Sequence, residues 1–138
     1  MSVTRKCRFL EVLLLALLVK EETHGYALYK KILEHTSMEW KPSIGTIYRV
    51  LNDMASRKLV VKKIVDRRIV YSITEEGIRE FINTSIKPLS RLTGILAILL
   101  EAYMEIAREK PCILGEPLIG NLRKLYSVLE KYKDKEII

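Results

Sequence analysis

Lys41-Pro42-Ser43-Ile44-Gly45-Thr46-Ile47-Tyr48-Arg49-Val50-Leu51 decides how this 138-residue chain is read. Trp40-Lys41-Pro42 closes the preceding connection, and Ser43 stands where an N-cap belongs, its hydroxyl able to accept from the backbone N–H of Thr46. At helical spacing Ile44, Ile47, Tyr48, Leu51, Met54, Ala55 and Lys58 gather on one side, and Ser43, Thr46, Arg49, Val50, Asp53 and Arg57 on the other. An outward face that starts with small hydroxyls and carries an arginine one turn later suits a DNA recognition helix. Its N-terminal N–H groups can meet phosphate, small side chains permit close approach, and a guanidinium can pair with guanine. A solvated amphipathic helix would fit the same residues, so the neighbouring sequence has to decide.

The neighbour is the segment 59–74. Val60, Lys62 and Ile64 alternate with Val61, Lys63 and Val65; Asp66-Arg67-Arg68 forms a tight turn; Ile69 to Ile73 resume a β-type composition. This predicts a two-stranded hairpin with a basic tip and flanks. Residues 40–73 hold 8 basic and 2 acidic side chains, so most of the formal charge of +7 is concentrated on the helix and the hairpin. A helix-turn-helix followed directly by a basic hairpin is a winged helix, with the wing laid along the DNA backbone or minor groove. Thr74-Glu75-Glu76 then caps a further helix and sets two carboxylates on its positive end.

His24-Gly25-Tyr26, the segment from Pro42 to Leu51, Lys58-Leu59-Val60, Arg67-Arg68 with Tyr71, and Ile73-Thr74-Glu75-Glu76-Gly77 together resemble the PadR family of winged-helix transcriptional regulators. The resemblance spans residues 9–77, and Gly45-Thr46-Ile47-Tyr48 is its most specific block. It implies a homodimeric, repressor-type regulator bound to double-stranded DNA. Ser43, Thr46 and Arg49 would sit at the groove and Tyr48 would reach phosphate from the edge of the buried face. Lys62, Lys63, Arg67 and Arg68 would form the wing, and Tyr71 would pack rather than touch phosphate. Members commonly sense small aromatic or lipophilic compounds near the dimer interface, so a small-molecule effector is possible. The single tryptophan, Trp40, lies in the DNA-binding half; Phe81, Tyr103, Tyr126 and Tyr132 are the only aromatics beyond it, and no effector is identified.

The remaining sequence supplies a scaffold. Residues 4–20 are apolar on more than one side, with Ser2 or Thr4 as possible caps. A second helix spans 24–36, where Gly25 suggests a close approach to the first. Residues 78–107 continue a helical apolar pattern that Pro88 should kink or divide. Dense Leu and Ile around Leu13 and Leu99 suggest pairing of two copies across a two-fold axis, with packing inside one chain as the rival. A last amphipathic helix follows a turn-rich connector at 111–117. The expected architecture is mainly α with a small β-hairpin: a winged helix-turn-helix DNA-binding domain over 1–77, then dimerisation helices over 78–138.

Several function classes find no foothold. Cys7 and Cys112 are isolated, and His24 and His35 have no ligand-type neighbour at helical spacing, so neither disulfide nor metal is expected. No Gly-rich phosphate loop or nucleophile–base pair appears, so neither an enzyme nor a cofactor is predicted. Apolar runs are too short for a membrane span and no leader is evident, which points to the cytoplasm. The absence of Gln is a hyperthermophile tendency. Two other functions stay open: a sequence-indifferent architectural DNA binder, and a winged-helix protein-interaction module.

Overall fold

The computed structural model describes residues 5–35, 41–111 and 114–135. The elements are α1 (Arg5–Lys20), β1 (Thr23–His24), α2 (Gly25–His35), α3 (Ile44–Ser56), β2 (Val60–Val65), β3 (Arg68–Ile73), α4 (Glu75–Glu109) and α5 (Leu118–Tyr132). The chain is mainly helical with a three-stranded antiparallel sheet in the order β1-β3-β2, a winged helix-turn-helix. It divides into two compact units, Met1–Thr93 and Gly94–Ile138. The possible caps Ser2 and Thr4, together with Trp40 and Cys112, lie outside the described residues.

One core organises the first unit. Leu10, Leu14, Leu15 and Leu18 recur on one face of α1 and meet Leu28 and Ile32 of α2, then Ile47, Val50, Leu51 and Met54 of α3. Leu59, Val60 and Tyr71 close the cluster from the sheet. Burying a side chain of this size is worth about 1.5–3 kcal/mol, so the helical trio and the root of the wing stand or fall together. Glu11 is the exception among these apolar groups, buried at 7% exposure. A carboxylate there must be paired, and the Arg57 guanidinium, reaching back from the end of α3, supplies the partner while also holding Asp53 at 2.8 Å. Burial works against the charged guanidinium, but the hydrogen bonds and charges of Glu11 and Asp53 prevail and raise its pKa.

The join from α3 to the wing is set by backbone geometry. Lys58 adopts a left-handed φ of 65°, which lets its N–H bond the Ala55 carbonyl at 3.1 Å and that of Leu59 bond Met54 at 2.9 Å. This pattern ends a helix sharply. Thr74 then ties the far end of the hairpin to the same place: its N–H donates to the Leu59 carbonyl at 3.0 Å, and its hydroxyl lies 2.7 Å from the Lys58 carbonyl. That hydroxyl also accepts from the Gly77 N–H at 3.0 Å, capping α4. A Cβ on Gly77 would run into the Leu59 carbonyl, so only glycine lets α4 lie this close to the root of the wing.

Four features depart from the sequence reading. A short strand, β1, pairs Thr23 with Tyr71 and His24 with Val70, adding a third strand to the expected hairpin. Gly25 makes room for Tyr48 of α3 rather than for α1: an added Cβ would lie 2.5 Å from the ring Cε1. Val50 turns inward, while Ile44 and Tyr48 keep over a third of their surface exposed. The inward face is therefore centred on Ile47, Val50, Leu51 and Met54; counting Tyr48 as apolar rotates it towards Ile44. Finally, of the two effects expected of Pro88, division does not occur: α4 continues from Glu75 to Glu109 with the proline inside it, the turns on either side outweighing the lost N–H.

The second unit is different in kind. Beyond Gly77, α4 has no buried residue among those described, and neither has α5. Ile95, Ile98, Leu99, Tyr103, Met104 and Ile106 on α4, and Tyr126, Val128 and Leu129 on α5, are all exposed.

Candidate nucleic-acid interface

The N-terminus of α3 is built as the sequence predicts. Ser43 is extended at φ −74° and ψ 156°, and its Oγ accepts from the Thr46 N–H at 3.1 Å. The two hydroxyls also bond each other at 2.9 Å. The first turn of α3 carries no acidic residue, so the positive end of the helix dipole is not neutralised from within the turn. Gly45 is exposed there, and an added Cβ would meet nothing closer than Ser43 Oγ at 3.9 Å. Internal packing does not require this glycine, and glycine costs a helix about 0.8–1 kcal/mol relative to alanine. The space it leaves is open to an outside partner.

With Val50 inward, the exposed stripe of α3 runs through Gly45, Tyr48, Arg49, Asn52 and Ser56. Ser43 and Arg49 are exposed, Thr46 is half-buried at the rim, and Tyr48 is 37% exposed with its ring seated on Gly25. Asn52 is the side chain that sequence reasoning missed. It follows Arg49 by three positions, one helical turn on, and its amide can meet an adenine edge as Arg49 can meet guanine. The signal was available in the spacing, hidden only by the misplaced Val50.

The wing separates its basic residues. Asp66 and Arg67, at φ 50° and 66°, form a two-residue turn, and Arg68 pairs with Val65 as the first rung of the ladder rather than as part of the turn. Directly opposed residues share a face. One face therefore carries Val60 with Ile73, Lys62 with Tyr71, and Ile64 with Ile69; the other carries Val61 with Ser72, Lys63 with Val70, and Val65 with Arg68. Lys62 extends the face whose root is the buried core, which α3 also lines. Lys63 lies on the opposite face, bound to Glu22 at 2.7 Å. Arg68, also on that face, brings Nη1 to 3.3 Å from His24 Nε2. Because His24 Nδ1 caps α2 by accepting from the Ala27 N–H at 3.2 Å, a neutral ring has its proton on Nε2. The imidazole then offers Arg68 no lone pair.

Tyr71, 1% exposed, is a packing residue and cannot reach phosphate. Burial raises the pKa of its hydroxyl, and the neighbouring Tyr48 adds to the effect. Among the described residues no cluster of His, Cys, Asp or Glu could hold a metal ion, and no helix is long and apolar enough to cross a membrane.

A capped helix with an unneutralised N-terminus, set beside a basic hairpin on a shared core, defines a winged-helix DNA-binding protein. The model of the transcriptional regulator PadR-like family matches residues 14–83, and the chain belongs to that family. Solved structures share the fold. A transcriptional regulator from Clostridium thermocellum superposes with a TM-score of 0.57 at 18% identity, covering 70% of this chain and 96% of its own. A PadR family transcription regulator from Clostridium difficile gives 0.55 at 21%, covering 67% and 98%. A PadR-like transcriptional regulator from Bacillus cereus gives 0.53 at 27%, covering 66% and 90%. No curated protein matches the sequence.

Proposed function

We propose that the chain is a sequence-specific repressor that binds a pseudo-palindromic DNA operator as a homodimer in the cytoplasm, with residues 1–77 engaging DNA and 78–138 joining the two copies. The observation that carries this reading is the outward stripe of α3, with Arg49 and Asn52 beyond an N-terminal turn free of acids. Ser43, Thr46, Tyr48 and Arg49 serve the groove and its phosphates; Lys62, Lys63, Arg67 and Arg68 serve the flanking backbone. The exposed apolar residues of the second unit support pairing, since a monomer rarely leaves so many uncovered. Two recognition helices related by a two-fold axis would enter successive major grooves about 34 Å apart. A small-molecule effector that favours a different angle between the copies would end simultaneous engagement and release the DNA.

Selection of bound sequences from a random duplex pool at near-physiological salt tests the reading. The expected product is an inverted repeat with half-site centres about 10 base pairs apart. Uniform recovery without a preferred site would instead make the protein an architectural binder, and no recovery would leave a protein-interaction module.

A further inference from the structure

The wing carries apolar side chains where a purely electrostatic arm would need none. Ile64 is 79% exposed and Ile69, directly across the ladder, 45%. The pair forms the second rung from the turn, behind Val65–Arg68, on the same face as Lys62. Nearer the root, Val60 and Tyr71 of that face are buried in the core, and Lys62, opposite Tyr71, is exposed. Ile64 and Ile69 extend the face past the edge of the core, into solvent. Their surroundings carry net positive charge: Arg67 shares the turn with Asp66, Arg68 stands on the closing rung with its side chain on the other face, and Lys62 is the next residue of β2 towards the root on the same face.

The turn itself is strained to present that charge. A two-residue turn with both φ values positive favours Asn-Gly or Asp-Gly. Here Asp66 is followed by Arg67 at φ 66°, a conformation that costs a non-glycine residue about 1 kcal/mol. A guanidinium at the extreme tip and a branched aliphatic pair just behind it are the two parts of a minor-groove wedge: the cation is drawn to the negative potential of a narrow groove and the apolar group inserts at a base step.

We propose that Ile64, backed by Ile69, is a DNA-distorting wedge that partly unstacks a base step in the minor groove beside each half-site. The proposal rests on the DNA-binding reading above and adds shape selectivity to it. Flexible pyrimidine–purine steps under the wing would be favoured, because they unstack at the least cost. The net positive charge around the pair fits a polyanionic groove and disfavours a second copy of the same basic wing pairing along the free edge of β2.

The test uses the full chain and duplexes recovered from the random-pool selection, with 2-aminopurine moved stepwise through the flanks and fluorophores at both ends. Wild-type protein is expected to raise 2-aminopurine emission at one step on each flank and to shorten the end-to-end distance. Ile64→Ala should abolish both signals and bind about tenfold more weakly. Ile64→Lys separates charge from insertion: a merely electrostatic wing would gain affinity and keep the wild-type DNA shape, whereas a wedge loses the distortion. Thermal melts of each variant matching wild type would show that the fold is intact. Binding with no change in base stacking, or an unchanged signal with Ile64→Ala, would overturn the wedge while leaving the regulator reading in place. Self-association that disappears with Ile64→Ala, in place of DNA distortion, would assign the pair to contact between copies and also overturn it. Failure to bind any duplex would overturn both readings.

Discussion

The two units of the chain solve the burial of apolar surface in opposite ways. From α1 to the start of α4, leucines and isoleucines close on one another, and the buried carboxylate Glu11 has its own counter-ion. From Gly94 onward, comparable side chains remain exposed. The first unit has a buried core, although Ile82, Ile86, Leu89 and Leu92 at its α4 end stay exposed; the second has no buried residue among those described. Under the proposed function the two units would divide the work in the same way, because a lone recognition helix binds weakly and gains specificity only when a second is held at fixed spacing.

The contrast breaks most visibly at equivalent leucines. Leu51 is fully buried, so Leu51→Ala should destabilise the chain by about 2–5 kcal/mol in denaturant titration. Leu99 is exposed, and Leu99→Ala should leave the unfolding of a dilute monomer nearly unchanged. Its effect should appear in sedimentation, as a weakened dimer, and in the concentration dependence of Tm. Equal losses at both positions in dilute protein would mean that the second unit has a core of its own.

Within the first unit the ion pair comes next. Removing Arg57 leaves Glu11 buried without its counter-ion, a change that costs about 3–5 kcal/mol for a fully buried pair. The guanidinium is partly open to water, so Arg57→Ala should cost about 2–3 kcal/mol. Arg57→Lys should restore only part of this, because an ammonium cannot span Glu11 and Asp53 with the same planar fork. Full recovery by lysine would reduce the site to a simple charge contact.

Sequence made the first unit legible because its elements are local. Ser43 and Thr74 are capping residues whose hydrogen bonds close within three positions, and alternation in 59–74 marks a hairpin without reference to the rest. What stayed hidden depends on residues far apart in the chain. Glu22 neutralises Lys63 across 41 positions of sequence and Arg57 reaches Glu11 across 46. Neither pairing leaves a periodic trace. The outward stripe of α3 is hard to read for a third reason: tyrosine is apolar along its ring and polar at its tip, so Tyr48 can be counted on either face. Placed inward, it displaces Val50 and conceals Asn52.

Gly45 should separate stability from function. Gly45→Ala adds a methyl where no neighbour would clash and removes a helix-destabilising glycine, so the protein should gain about 0.5–1 kcal/mol in denaturant titration. The same methyl would stand between the first turn of α3 and an approaching phosphate, and DNA affinity should fall about tenfold. Opposite signs in the two measurements would mark the turn as a binding surface. Gains in both would show that DNA approaches elsewhere on the helix.

The smallest effects lie at the two lysines of the wing, through which its two faces can be set against each other. Lys62 extends the core-side face and has no carboxylate within salt-bridge distance among the described residues, whereas Lys63 already faces Glu22 at 2.7 Å. Lys62→Ala should therefore remove close to one phosphate contact, lowering the slope of log affinity against log salt by about 0.9 and affinity by a few-fold on all sequences alike. Lys63→Ala removes a charge that is largely compensated, and its slope should change by less than half as much. Glu22→Gln completes the comparison: it releases Lys63 without adding a positive charge, and should steepen the salt dependence of wild-type protein but not that of Lys63→Ala. Identical slopes for Lys62→Ala and Lys63→Ala would mean that both faces of the wing meet phosphate equally despite Glu22, as a hairpin inserted edge-on into the groove would allow.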